Sequence, residues 1–394
     1  MQRTTVTWLV VGGIGWAGLA LIALQLAQGS GAGVGFDLEL LLQGGRDVAA
    51  GRTPYDPALL SGTAPVSTSL FYSYPPPIAQ VLAPFAAVSS MTMLLAWWAG
   101  AMTGLLVVAE ALRRHLAPTR PSRDVLLAVA AVAPLVLPFT VGLLFGNFDV
   151  WFPLLYGAML LAAVVPSRPT AVTGGFALVL ASLKLHPASM GLWFLVRAIR
   201  ERRGAPGTER AGRSLEVVGA AGVAGLAVIV LSVAVGGLGP WTDYLLVVQT
   251  GASADIVDPR NAGLAATATA LIGGDQALAR MLHVFVGLAA VLVTAWAAWR
   301  RPDPLESFAW AASASLATLP VTWYHYPSAL IPVALAVVLR APTSGRGRVR
   351  MLVVAAGVTA ALALTVLPLL WVAAGLIIAA ARVSRPDPAD RAGG

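Results

Sequence analysis

The sequence predicts an all-α polytopic protein that crosses a membrane about twelve times. Of its 394 residues, 58% are hydrophobic and 11% are charged, whereas roughly a quarter of the residues in soluble domains are charged. Apolar runs recur along the chain, many of them about 17–25 residues long, which is enough to span roughly 30 Å of hydrocarbon. We therefore expect one transmembrane domain over residues 1–382, followed by a disordered cytoplasmic tail, 383–394.

The predicted crossings follow the apolar runs. We place them at 6–27, 78–112, 124–144, 148–165, 169–185, 187–199, 215–236, 277–299, 305–322, 326–340, 350–366 and 368–382. The first run is longer than the apolar core of a signal peptide, about 7–15 residues, so we read it as a retained helix. Residues 78–112 are counted once, either as one kinked crossing or as a short re-entrant or interfacial helix followed by a crossing.

The arginines give the chain a predicted orientation. With the N-terminus inside, the cytoplasmic loops hold most of the arginines, while the outer loops hold only Arg46, Arg52 and Arg260. This asymmetry satisfies the positive-inside rule for a multi-pass protein of the inner (plasma) membrane. The net charge of +8 therefore reflects topology, and without a basic patch interleaved with aromatics it gives no reason to expect a nucleic-acid partner.

Two long loops, 28–77 and 237–276, fall on the outer side under this scheme. The first contains an amphipathic pattern in which one helical face carries Leu38, Leu41, Leu42, Val48 and Ala49. Because the opposite face is polar, this spacing predicts a short helix that lies in the membrane interface.

Polar motifs also gather on the outer side. They begin with Phe36 and Asp37 in the first loop, and continue with Tyr72–Pro77, Gly146–Asp149, Lys184–Pro187, Asp258–Asn261 and Trp323–Pro327. Ionisable groups near membrane depth are costly, and they tend to face a cavity or a charged partner. Their convergence at one membrane surface predicts a functional site there.

Each candidate also has a structural explanation. Asp37 precedes a predicted helix, so it is either the N-cap of that helix or a general base, and one carboxylate can do both. Tyr72 and Tyr74 are either substrate contacts or part of an interfacial aromatic belt. Arg260 either contacts a phosphate or meets lipid headgroups, and Asp149 is read as a buried polar partner only.

Lys184 is the only lysine among 26 basic residues. Its ammonium either reaches towards lipid headgroups or contacts an anion such as a phosphate oxygen. His325 lies next to Tyr324 and Tyr326, which form either an aromatic belt with an interfacial histidine or part of a site. The chain has no cysteine, no metal-ligand spacing and no phosphate-binding glycine loop, so we expect no metal site, no cofactor and no soluble nucleotide-sugar pocket.

Several of these motifs resemble those of glycosyltransferase family 87. They are Asp37, the turn Gly51–Tyr55, Tyr74–Pro77, Gly146–Asn147 and Lys184–Pro187. The family's usual Gly-Gln-x-Asn element appears here without the glutamine. The family consists of GT-C-type membrane enzymes and includes the actinobacterial α-(1→2)-mannosyltransferases. The resemblance covers roughly residues 1–340 in order, and implies a GT-C-type bundle of about twelve transmembrane helices.

The resemblance implies that a sugar, most often mannose, moves from a polyprenyl-phosphate donor to a lipid-linked or polymeric glycan on the extracytoplasmic face. Asp37 matches the position of the catalytic base. As candidates for the donor phosphate we take Lys184, His186, Arg260 and His325, and as candidates for substrate contact Tyr72, Tyr74, Asn147 and Tyr324. Arabinofuranosyl transfer from the same type of donor is the alternative within the enzyme class. Outside that class the alternative is a transporter or flippase of a lipid-linked sugar, which should carry paired charges deep in its helices.

Overall fold

The computed structural model describes residues 3–28, 33–61, 71–165, 167–204, 213–251 and 256–385. In these ranges the regular structure is helical. The first nine α-helices are α1 Arg3–Gln28, α2 Phe36–Ala49, α3 Pro57–Leu60, α4 Pro76–Leu82, α5 Ser90–Leu116, α6 Ser122–Val132, α7 Leu137–Phe145, α8 Phe152–Val164 and α9 Arg168–Ser182. The others are α10 Ser189–Arg202, α11 Ser214–Gly236, α12 Gly239–Gly251, α13 Leu264–Ile272, α14 Gln276–Arg300, α15 Pro304–Ser315, α16 Ile331–Arg340, α17 Arg346–Leu362 and α18 Leu369–Val383. Of the predicted tail, residues 386–394 lie outside the described ranges.

Four of these helices are long and apolar enough to cross a membrane by themselves. They are Thr5–Gln28, Ser90–Leu116, Ser214–Gly236 and Gln276–Arg300, and α6 with α7 would make a fifth span that bends by 71°. Prolines explain why other predicted crossings are shorter helices, because proline removes a backbone donor and breaks the α-helical ladder. Pro187 and Pro327, for example, each lie in a short 3₁₀ segment that precedes a helix. The count of about twelve crossings therefore stays a prediction.

The segment 78–112 contains a short helix and a long one. The seven-residue helix α4 would extend only about 10 Å, so it is too short to cross the bilayer. Helix α5 has 27 residues and carries its N-cap on Ser89, whose hydroxyl accepts from the N–H of Thr92. This arrangement corresponds to the second of the two predicted possibilities, a short helix followed by one crossing.

The helix predicted in the first outer loop is α2, and its apolar face packs against protein. Leu38, Leu41 and Leu42 are at most 2% exposed. Two glycines allow the close approach: a Cβ on Gly44 would lie 2.8 Å from the ring of Tyr72, and one on Gly45 would lie 2.9 Å from the Cβ of Leu82. The position of α2 at the membrane interface stays a prediction, while its leucine face packs in a protein core.

The helix ends predicted to be cytoplasmic contact one another. Arg120 donates to the carbonyl of Val338 at 3.2 Å, and Arg340 pairs with Asp303 at 2.7 Å. The segments predicted to be outside also meet, since Thr53 of the first loop donates to Asp243 of α12 at 2.7 Å. The helix bundle thus separates an arginine-rich end from an end that holds the two long loops.

Candidate active site

Asp37 lies in the first turn of α2 and points at the neighbouring segment. The N-cap position belongs to Gly35, whose backbone is left-handed at φ 79° and which makes no side-chain cap. Gly35 N–H donates to the carbonyl of Leu144 at 2.7 Å, which ties the start of α2 to the end of α7. Asp37 Oδ2 accepts from Nδ2 of Asn147 at 2.8 Å. The carboxylate therefore does not cap its helix, and it bonds to the segment that follows α7.

Asn147 bridges this carboxylate to a lysine. Its Oδ1 accepts from Nζ of Lys184 at 2.9 Å and from the N–H of Asp149 at 3.0 Å. The side chain is buried, at 5% exposure. Because only the NH₂ group can donate to a carboxylate and only the oxygen can accept from an ammonium, these contacts fix the orientation of the amide. Asn147 thus fixes the positions of the Asp37 carboxylate and the Lys184 ammonium relative to each other.

Asp149 is the centre of the polar cluster. Its Oδ1 lies 2.9 Å from Nζ of Lys184, its Oδ2 lies 3.2 Å from Nε2 of His325, and its side chain is 0% exposed. A buried carboxylate is stable only with such partners. The prediction of a buried polar partner is therefore right in kind, but it missed that this residue joins two of the predicted site residues. The Gly146–Asp149 motif was the available signal, because it places the carboxylate two positions after Asn147.

The segment Lys184–His186 forms a tight turn of the γ type. Leu185 has φ 64° and ψ −61°, and the N–H of His186 donates to the carbonyl of Lys184 at 2.8 Å. This conformation is rare and strained for a residue other than glycine. It leaves Leu185 exposed while Lys184 and His186 both point inward towards Tyr326. The turn thereby brings an ammonium and an imidazole to the same place.

Aromatic rings surround the Lys184 ammonium and the His186 imidazole. Nζ of Lys184 lies 4.7 Å from the centroid of Tyr326 and 5.7 Å from that of Tyr74, within the range of a cation–π interaction. The ring of His186 stacks on Tyr326 at 5.1 Å, and neither of its nitrogens has a hydrogen-bond partner among the described residues. Tyr326 was part of a recognised motif but was not selected from the sequence.

The hydroxyls of two predicted substrate contacts bond to the backbone. Tyr72 donates to the carbonyl of Pro75 at 3.1 Å and accepts from the N–H of Ala79 at 2.9 Å, so it holds the turn that leads into α4. Tyr324 donates to the carbonyl of Ala360 in α17 at 2.6 Å. Both side chains are buried, and these bonds connect neighbouring segments rather than the polar cluster.

Arg260 contacts different groups from the other phosphate candidates. Its guanidinium pairs with Asp258 at 2.6 Å, lies 5.6 Å from the ring of Trp323 and leaves 67% of the side chain exposed. The hydrogen bonds from Arg260 hold the pKa of Asp258 below its usual range. The neighbouring Asn261 bonds through its amide to the backbone of Ile256, Pro320, Gly263 and Thr322. The second loop is thus fixed to the segment that carries His325, with Arg260 at its surface.

A comparison with known protein families identifies the family of this chain. A family model described as glycosyltransferase family 87 matches residues 72–322, which is more than half of the chain. The protein belongs to glycosyltransferase family 87. No curated protein and no solved structure matched it.

Membership of family 87 makes the protein a membrane glycosyltransferase and confirms the resemblance seen in the sequence. The matched range contains Asn147, Asp149 and Lys184, whereas Asp37 and His325 lie outside it. Each of these two residues contacts a residue within the range. The polar cluster is therefore built around the part of the chain that the family model matches.

Proposed function

We propose that this glycosyltransferase moves mannose from a polyprenyl-phosphate donor to a lipid-linked or polymeric glycan on the extracytoplasmic face, with Asp37 as the general base. One observation carries the proposal. The partly exposed Asp37 carboxylate has Oδ2 held by the Asn147 amide, and within the described ranges no hydrogen bond occupies its Oδ1. A base needs both features, because it must be oriented and must keep one oxygen free for a substrate proton.

The reaction that follows is a single displacement. The acceptor hydroxyl oxygen forms a bond to the anomeric carbon, and its proton passes to Oδ1 of Asp37. The bond between the anomeric carbon and the phosphate oxygen breaks, and the electron pair leaves with the polyprenyl phosphate. A β-linked donor then gives an α-linked product. Asn147 acts in this scheme as a positioning residue, because its N–H fixes the carboxylate and its carbonyl bonds to Lys184.

Lys184 is the best-supported ligand for the donor phosphate. An ammonium has three N–H donors, and two of them are directed at Asn147 Oδ1 and Asp149 Oδ1. The ammonium also interacts with the side chain of Tyr74, and in this proposal a phosphate oxygen of the donor replaces that contact, next to the carboxylate that accepts the proton. His325 and His186 border the same cluster, and they complete the electrostatic stabilisation that the leaving phosphate needs. Arg260 is exposed, and we assign it to attraction of the anionic donor rather than to the cluster.

The decisive experiment is an assay of the purified protein with labelled polyprenyl-phosphate mannose and a panel of glycolipid acceptors. Asp37→Asn keeps the shape of the side chain and removes the base, so we expect turnover to fall about 10²–10⁴-fold. Asp47→Asn is the matched control, because Asp47 lies on the same helix and contacts Arg52 and Gln43. Near-normal turnover of Asp37→Asn would overturn the assignment. Transfer from the arabinose donor in place of the mannose donor would correct the sugar, and donor movement across vesicles without any product would indicate a flippase.

The proposed face can be tested separately. The native chain has no cysteine, so each introduced thiol reports on one position. We expect Asp56→Cys in the first long loop to react with a membrane-impermeant maleimide added to intact cells. Ala205→Cys, in a loop predicted to be cytoplasmic, should react only after the membrane is opened. The opposite pattern would place the polar cluster inside.

A further inference from the structure

A cavity lies on the side of the helix bundle, among residues other than those of the polar cluster. It is a cleft of about 550 Å³ between α14, α15 and α18, open along one side. Helix α15 forms its floor, since both α14 and α18 pack on α15. The cleft begins at Glu306, Arg301 and Arg382 at the arginine-rich end of these helices. It is lined by none of the residues that we assign to sugar transfer.

The length of the cleft matches one lipid chain. Along α18 it extends from Trp371 to Arg382, which is about 16 Å at the rise of an α-helix and about half of the hydrocarbon thickness of a bilayer. Its walls are mainly small apolar residues. A Cβ added at Gly375 would meet nothing within 4 Å, so the space beside that glycine is open. An extended acyl chain from one leaflet would fill such a volume.

The mouth of the cleft is positively charged. Glu306 is approached by Arg301 at 3.7 Å and is also paired with Arg385, while Arg382 is exposed at the same end. Two arginines therefore pair with one carboxylate, and Arg382 adds a third positive charge at this end of the cleft. Basic pockets between transmembrane helices attract anionic lipid headgroups, and each arginine near a membrane surface contributes about 1 kcal/mol.

Two unused hydrogen-bonding groups lie further along the floor. Ser313 is 6% exposed, and within the described residues neither its Oγ nor Nε1 of Trp310 has a hydrogen-bond partner. Trp310 is four residues from Glu306, which is about 6 Å along the helix. Buried polar groups are normally satisfied, so a ligand with acceptor oxygens at this depth would complete the site. The ester carbonyls of a glycerophospholipid lie just below its phosphate, at this depth.

We propose that the cleft binds one anionic glycerophospholipid from the leaflet at the arginine-rich end. Its phosphate lies against Arg301 and Arg382, an ester carbonyl accepts from Trp310 or Ser313, and one acyl chain occupies the cleft beside Gly375. The positive-inside rule predicts that this leaflet is the cytoplasmic one. The site is separate from the proposed sugar transfer and does not depend on it.

The test uses the purified full-length protein and native mass spectrometry. The protein is titrated with phosphatidylglycerol and with phosphatidylcholine that has the same acyl chains, in the absence of any sugar donor. We expect one phosphatidylglycerol to bind in preference. Arg382→Gln should weaken binding of phosphatidylglycerol about fivefold, the equivalent of one arginine at the surface, and should leave phosphatidylcholine unchanged.

Two leucine substitutions locate the bound chain. Gly375→Leu fills the cleft and should reduce the binding of both lipids. Gly357→Leu is the matched control, because Gly357 also has open space beside it but lies on α17, outside the cleft. Equal binding of the two headgroups to the native protein, or binding that Gly375→Leu leaves unchanged, would overturn the proposal. A dimer that Gly375→Leu dissociates would assign the cleft to a second copy of the chain and would also overturn it.

Discussion

Two polar networks lie at opposite ends of the helix bundle, and both contain partly or fully buried charges. At the end with the long loops, Asp149 pairs with Lys184 at 2.9 Å and with His325 at 3.2 Å. At the arginine-rich end, Arg340 pairs with Asp303 at 2.7 Å and donates to the carbonyl of Ala381 at 3.0 Å. Each network links several helices or the turns between them. The two networks differ in how much of their hydrogen-bonding capacity is unused.

In the arginine-rich network, each nitrogen of the Arg340 guanidinium donates a hydrogen bond. Arg340 bonds to a carboxylate, to Ser384 and to a backbone carbonyl, and it lies at the C-terminal end of α16, where the helix dipole favours a cation. Among the described residues, the other network keeps one oxygen of Asp37 free, leaves the ring nitrogens of His186 without partners and includes the strained residue Leu185. Unused hydrogen-bonding capacity and backbone strain are typical of sites that bind a substrate. The fully bonded guanidinium of Arg340 is what a structural connection between helices requires.

The largest expected effect comes from Asp149→Ala. This change leaves the Lys184 ammonium buried without its charge partner, and the loss of one member of a buried pair costs about 3–5 kcal/mol of unfolding free energy. We expect a lower thermal unfolding midpoint in detergent together with a loss of sugar transfer.

A double variant separates the two losses. Asp149→Ala combined with Lys184→Met removes both charges, and replacing a whole buried pair by apolar groups is often nearly neutral for stability. If Lys184 binds the donor phosphate, the double variant should recover most of the stability and none of the transfer. Recovery of transfer would show that the cluster is as structural as the arginine-rich network.

Gly146→Ala is expected to have the next largest effect. The residue has φ 67°, and an added Cβ would lie 2.6 Å from the Cβ of Leu38. A left-handed backbone costs a residue with a Cβ about 1–2 kcal/mol, and overpacking adds about 1–3 kcal/mol. Because Leu38 follows Asp37, relief of the clash should move the carboxylate away from Asn147 and lower turnover.

The control for this variant is Gly51→Ala. Gly51 has φ 74° but nothing within 4 Å of an added Cβ, so it carries the backbone cost without the clash. We expect a small loss of stability and unchanged turnover. Equal effects of the two substitutions on turnover would mean that the docking of α2 on Asn147 does not matter for catalysis.

The sequence predicted groups of residues on one side of the bundle, but it could not predict which side chains meet. Positive charges and apolar runs predicted one side for Asp37, Asn147, Lys184 and His325, and the structure links these four residues directly or through Asp149. Spacing could not show that the hydroxyl of Tyr324 bonds to the backbone of α17, since that depends on tertiary packing.

The same limit applies to the helices. The pattern of leucines predicted α2, but it could not distinguish lipid from protein as the partner of that face. The helices α12 and α13 lie in a loop where no crossing was expected, and the 71° bend between α6 and α7 follows from prolines whose effect on direction cannot be read from hydropathy. The contacts of Asp149 could not be predicted either, because they depend on how the three turns that carry Asp149, Lys184 and His325 come together.

The smallest expected effect on activity comes from Arg340→Gln. The variant removes the charge partner of Asp303, whose side chain is 12% exposed, and hydrogen bonds to charged groups contribute about 1.5–3 kcal/mol each. We therefore expect a lower unfolding midpoint, while kcat and KM for the donor stay within about twofold because no contact described for Arg340 reaches the Asp37 cluster.

The control for this variant is Arg348→Gln. Arg348 is exposed at the same end, so this substitution removes the same charge without removing a buried contact. It should change neither stability nor kinetics. A marked fall in turnover for Arg340→Gln in protein that remains folded would mean that the two networks are coupled through the helices between them, and that their division into structural and catalytic ends is wrong.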